Sequence, residues 1–173
     1  MSQTSSTRRT GLGMMLAFWV LLFGLGIWWF SGLIDARQNP NANLLDAPPG
    51  TSVTLERNAS GHYVVSGRIN GEPVVMLLDT GATSVAVPEP LAKQLGLPHE
   101  GEAWFTTANG RVRGQLTMLD EISVGGITAQ QVRGSISSGL SDDMVLLGMS
   151  FLGRFDIEIR DKQMVLRVPD TRP

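Results

Sequence analysis

The chain of 173 residues has no cysteine. Disulfides, thiol nucleophiles and cysteine-ligated metals are therefore excluded, while the redox compartment is left open. Histidine is almost as scarce. His62 and His99 lie far apart and have no metal-ligand spacing around them, so neither a metal nor a cofactor is expected. Charge is sparse as well, at 17% of residues with a formal net charge of −2. A basic face for nucleic acid is thus missing, and nucleic acid is not expected as a partner. No repeat with a period of about 20–50 residues is visible. Asn58-Ala59-Ser60 matches the glycosylation sequon, a tripeptide common enough by chance to carry little weight.

The longest feature that is present is apolar. Gly11 to Ile34 contains no charged residue. A bilayer core needs roughly 20 apolar residues in a helix, so residues 11–34 are read as a transmembrane helix in contact with lipid. Trp28, Trp29 and Phe30 cluster near its end, where amphipathic rings favour the headgroup level. A cleaved signal peptide fits less well, because its apolar region runs about 7–15 residues and ends in small residues. Arg8 and Arg9 precede the segment, while Asp35 and Arg37 follow it. That bias places residues 1–10 as a cytoplasmic tail and the remainder across the membrane. Residues 35–50, rich in Pro and Asn, read as an irregular linker, residues 51–169 as one folded domain and 170–173 as a tail.

The domain reads as short strands separated by turns. Asn70-Gly71 and Asn109-Gly110 are type I′ hairpin signals, since both central positions of that turn need positive φ. Pro88 to Gly96 reads as a short helix closed by glycine. The whole is mainly β, a barrel or sandwich with one or two short helices. One apolar strand, Pro73 to Leu78, delivers Asp79-Thr80-Gly81-Ala82, and a second apolar strand follows at once. Asp-x-Gly is ordinary turn chemistry. An acid held at the end of an apolar strand is also half of an acid–base pair, because two carboxyls sharing one proton supply both roles.

The stretch LLDTGATSVAVP, Leu77 to Pro88, resembles the active-site loop of aspartic proteases in their short retropepsin-like form. VLLGMSFLGRFDIEI, Val145 to Ile159, resembles the hydrophobic-hydrophobic-Gly segment of the same family. The likeness is closest to bacterial members carrying an N-terminal membrane anchor. It implies a closed retropepsin-like β-barrel and hydrolysis of polypeptide. Asp79 is then the catalytic residue, Thr80, Gly81 and Ala82 support its loop, and Leu146, Leu147 and Gly148 lie behind it. The hairpin at Thr107, Ala108, Asn109 and Gly110 stands where the family has its flap. Only one such loop exists here, so the resemblance implies a homodimer in which each copy donates one Asp79. By the same likeness, the protein is a bacterial inner-membrane protein with its protease domain periplasmic.

The chain departs from the viral pattern at Thr83-Ser84, where viral enzymes usually carry an acidic residue. It departs again at Met149 to Phe155, so the intersubunit contacts made there in viral enzymes are not assumed. Two other readings compete. One is a non-catalytic peptide-binding or assembly module with the same fold. The other is a serine hydrolase using Ser84 or Ser150, which lacks both a Gly-x-Ser-x-Gly elbow and an oriented histidine.

Overall fold

The computed structural model describes residues 4–107, 110–140 and 144–170. It divides into two units, Met1–Arg37 and Gln38–Pro173. The described residues of the first unit lie in helix α1, Thr4–Gln38. Within it Gly11–Gln38, 28 residues with a mean hydropathy of 2.0, is long and apolar enough to cross a membrane. Residues 11–34 of this helix carry no charge and are apolar on all sides, without the single stripe of a surface helix.

The second unit is mainly β. Its strands are β1 (Ser52–Glu56), β2 (Val64–Ile69), β3 (Glu72–Leu78), β4 (Val85–Pro88), β5 (Gly101–Thr107), β6 (Gly110–Val124), β7 (Ile127–Ser137), β8 (Val145–Leu147), β9 (Asp156–Arg160) and β10 (Gln163–Arg167). Two short α-helices, α2 (Glu89–Gln94) and α3 (Met149–Leu152), and a 3-10 turn at Ala42–Asp46 accompany them among the described residues. Strands β2-β3-β8-β4-β7-β6 follow one another in a single sheet, and a further β2–β6 pairing joins its ends. The result is a closed six-stranded barrel, in which a curled sheet loses its exposed edges. Strand β5 extends the sheet beyond β6, while β1, β10 and β9 form a separate antiparallel sheet.

The expected Asn70-Gly71 turn is present, with φ of 51° and 87°, and it sets the β2–β3 register at Ile69↔Glu72. Arg111 to Leu116 and Met118 to Gly126, read from the sequence as two strands, are instead joined in one continuous β6 that ends at Val124. Its inward phase shifts between Leu119 and Ile122, both fully buried, so a single strand serves both ends of the barrel. Strand β3 alternates. Val74, Met76 and Leu78 face the core, while Val75 and Leu77 are half-buried, a weaker burial than its uninterrupted apolar sequence suggests.

The largest departure concerns residues 39–50, expected as an irregular linker. They pack against the barrel, with Leu44 against its core. Asn41 is 3% exposed and acts as the latch. Its amide nitrogen donates to the carbonyls of Glu56 and Val64 at 2.9 and 2.7 Å, and its oxygen accepts from the Glu56 N–H at 2.8 Å. Asn39 donates to the Ser66 hydroxyl at 2.9 Å. The Gly50 N–H donates to the Gly126 carbonyl at 3.0 Å, closing the far end of the segment. Pro and Asn here terminate regular structure without releasing the chain, because side-chain bonds replace the ladder.

Asn41→Ala strands buried backbone groups at Glu56 and Val64. It is expected to lower the stability of the 38–173 unit by about 2–4 kcal/mol, read from urea denaturation. A form beginning at Thr51 should be destabilised further. Equal midpoints for all three forms would show that the segment is a passive spacer.

Candidate active site

Asp79 stands at the end of β3, and its position follows from how the strands are threaded. β3 and β4 are consecutive in sequence, yet β8 lies between them, parallel to β3 and antiparallel to β4. The six residues 79–84 must therefore arch over the C-terminal end of β8. Leu78 and Leu147 are partners in the β3–β8 register, and the Asp79 N–H donates to the Leu147 carbonyl at 3.1 Å. The loop turns at once, with the Gly81 N–H donating to Asp79 Oδ1 at 2.9 Å and the Ala82 N–H to the Asp79 carbonyl at 3.2 Å. One carboxylate oxygen is thus fixed by backbone. The other has no protein hydrogen bond among the described residues. Asp79 is half-buried, while Thr80 and Gly81 are exposed.

The loop is gripped from below by the chain leaving β8. Met149 N–H donates to the Ala82 carbonyl at 2.8 Å, and Ser150 N–H to the Thr83 carbonyl at 3.0 Å. Gly148 passes so close that a Cβ there would lie 2.4 Å from the Ser84 carbonyl oxygen and 2.8 Å from that of Ala82. Both contacts are backbone, so no rotamer change relieves them. Only glycine fits.

Ser150, weighed in the sequence as a nucleophile, is a tie. Its hydroxyl accepts from the Val85 N–H at 3.0 Å and donates to the Arg133 carbonyl at 2.7 Å. One turn on, Arg154 donates to the carbonyls of Ser150, Gln130 and Gln131. No histidine partners Ser150, and the serine-hydrolase reading ends there.

Beside the loop lies a cleft of about 640 Å³ whose lining includes Gly81, Ala82 and Ser84. Its floor is one row across the sheet, from Leu146 to Ala86, Ser135 and Leu116, which are neighbours in the β8–β4, β4–β7 and β6–β7 registers. Leu146, grouped in the sequence with the loop-backing residues, lines the cleft, whereas Leu147 and Gly148 back the loop. The period-two pattern of β4 held the missed signal: Val85 and Val87 are buried in the core, so Ser84 and Ala86 must face the other way.

The β5–β6 hairpin borders the same cleft. Thr107 and Gly110 are cross-strand partners at its end, whereas Ala108 and Asn109 lie outside the described residues. Phe105 packs its ring against Gly114, where a Cβ would meet Cε2 at 2.9 Å. Trp104 is 64% exposed, with the Arg111 guanidinium 5.6 Å from its ring centroid. Among the described residues there is no cluster of three or more His, Cys, Asp or Glu able to hold a metal.

A family model described as "gag-polyprotein putative aspartyl protease" matches residues 65–154, the stretch that contains both the Asp79 loop and the segment beneath it. An uncharacterized protein in the cobV 5′ region of Sinorhizobium sp is 31% identical over 150 residues, covering 84% of this chain and 63% of that one. Uncharacterized protein RP867 of Rickettsia prowazekii is 26% identical over 117 residues, 66% of this chain and 50% of that protein. The chain thus spans between half and two thirds of the length of these two relatives. Among solved structures, a retropepsin-like aspartic protease from Rickettsia conorii matches with a TM-score of 0.56 and 27% identity, over 66% of this chain and 89% of that one.

Replacing Gly148 by Ala should push the Asp79 loop off its seat and cost about 1–3 kcal/mol or more, as overpacking does. Thermal melting of the variant checks this. An unchanged melting temperature would mean that the loop yields freely and is not held from below.

Proposed function

The chain belongs to the retropepsin-like aspartic protease family, and from that premise we propose that it is a membrane-anchored aspartic endopeptidase, active as a homodimer. The observation that supports this most is the held carboxylate. Asp79 has one oxygen fixed by the Gly81 N–H and the other without a protein partner among the described residues, in a loop whose next residues, Gly81 and Ala82, line a cleft of about 640 Å³. A single carboxyl cannot be acid and base at once, and no second Asp-Thr-Gly exists in the sequence. A second copy supplies it most simply, across an isologous interface in which Asp79 meets its own counterpart.

In this reaction the ionised Asp79 takes a proton from a water held between the two carboxyls. The resulting hydroxide adds to the scissile carbonyl carbon as the protonated partner gives its proton to the carbonyl oxygen. Collapse of the tetrahedral adduct breaks the C–N bond: the amine leaves with the proton that the first carboxyl had taken, and a hydroxyl of the adduct returns its proton to the partner carboxyl. The exposed Thr80 is assigned to the contact between the two loops, and the bare backbone of Gly81 to close approach by substrate. The hairpin ending at Thr107 and Gly110 serves as the flap that covers the bound polypeptide and excludes water.

Residues 11–34 hold the protein in the bilayer, and the two arginines before them favour a cytoplasmic N-terminus with the barrel on the opposite, periplasmic side. Confinement of both copies to one membrane raises their effective concentration and promotes pairing.

Asp79→Asn keeps an oxygen for the Gly81 N–H but removes the titrating group. The variant is expected to melt like the parent and to lose roughly a hundredfold to ten-thousandfold in turnover of a peptide library at mildly acidic pH. Equal cleavage by both forms would remove Asp79 from the reaction. A parent that binds library peptides but cuts none would favour the peptide-binding module.

A further inference from the structure

We propose that Arg133 selects substrates, its guanidinium binding an acidic side chain of the polypeptide held in the cleft; this rests on the proteolytic reading above. Arg133 belongs to β7 and lines the cleft together with Ser135, two residues on and therefore on the same face of the strand. Its cross-strand partner Met118 lines the cleft as well. The side chain is thus offered to the same space as the floor row, on the side nearer Ser84.

The other arginines of the barrel show what is unusual about it. Arg68 and Arg113 are paired with Asp46 and Glu102, Arg154 is engaged by backbone carbonyls, and Arg111 lies over an indole. The Arg133 guanidinium is exposed and has no carboxylate, carbonyl or ring partner among the described residues. Glu100 also lines the cleft, but it stands beside Leu116, whose carbonyl accepts from the Glu100 N–H at 2.9 Å. It makes no ion pair with Arg133.

The backbone beneath Arg133 is as firmly held as the catalytic loop. Its carbonyl accepts from the Ser150 hydroxyl at 2.7 Å, and the Ser150 N–H holds the Thr83 carbonyl. The cation therefore projects from a point fixed relative to Asp79, as recognition of one particular substrate position requires. The nearest loop residues, Thr83 and Ser84, are neutral. A planar guanidinium matches a carboxylate with two parallel hydrogen bonds, and substrate that fills the cleft removes the water that otherwise screens the pair.

The experiment uses the full chain in detergent micelles and a peptide pool in which Glu and Gln alternate at each position around the cleaved bond. The wild type is expected to cut peptides with Glu at one position about fivefold faster in kcat/KM than their Gln counterparts, the difference residing in KM. Arg133→Gln should bring that ratio to about one. Arg133→Glu should invert it in favour of Lys at the same position. A wild type indifferent to Glu against Gln at every position would overturn the proposal, as would a preference that survives in Arg133→Gln. Equilibrium binding of fluorescent Glu and Gln peptides to the Asp79→Asn protein and its Arg133→Gln derivative is measured in parallel. If no form cleaves anything, the proteolytic reading fails, while the ratio of these affinities still decides whether Arg133 reads an acidic side chain.

Discussion

Everything at the site depends on the crossing of two backbones, where the chain leaving β8 at Gly148 runs beneath the arch of residues 79–84. The arch has no ladder of its own, so its polar groups would be costly to leave unpaired. The Leu147 carbonyl and the N–H groups of Met149 and Ser150 take up the groups at Asp79, Ala82 and Thr83. Neutral hydrogen bonds of this kind contribute only about 0.5–1.5 kcal/mol each. Their value lies in geometry: three bonds from one rigid turn fix the loop against the barrel core, into which Phe151 and Leu152 are fully buried. The Asp79 carboxyl is thus held by packing that lies behind it.

The same turn extends that order outward. Through Ser150 it joins β4 to β7, the two strands that furnish Ala86 and Ser135 to the cleft floor. Catalytic loop and cleft are therefore one mechanical body, and an error in either is transmitted to the other. What a single chain does not contain is the partner for the carboxyl it presents so carefully. The free oxygen of Asp79 and the exposed Thr80 beside it fit a surface completed by an identical copy.

Much of this was legible in the sequence because it rests on local signals. An apolar strand ending in Asp-Thr-Gly, an Asn-Gly pair between alternating residues and a Leu-Leu-Gly before a short helix each state their geometry within a few positions. The latch at Asn41 was not legible, since its partners Glu56 and Val64 lie 15 and 23 residues away and no periodicity announces a side chain that replaces a strand. The continuous β6 was misread for a related reason. Its inward face changes phase between Leu119 and Ile122, which imitates a break between strands. The cleft floor escaped notice because it is a row across the sheet, assembled from Leu116, Ser135, Ala86 and Leu146 by register and not by proximity in sequence.

The central claim is that one active site is built from two chains, and subunit mixing tests it most directly. Wild-type and Asp79→Asn chains are combined in detergent, allowed to exchange, and assayed at constant total protein as the wild-type fraction is varied. A shared pair of carboxyls predicts activity that follows the square of that fraction, since only dimers with two intact copies turn over. Activity that falls in direct proportion to the wild-type fraction would mean that each chain acts alone, and would contradict the account.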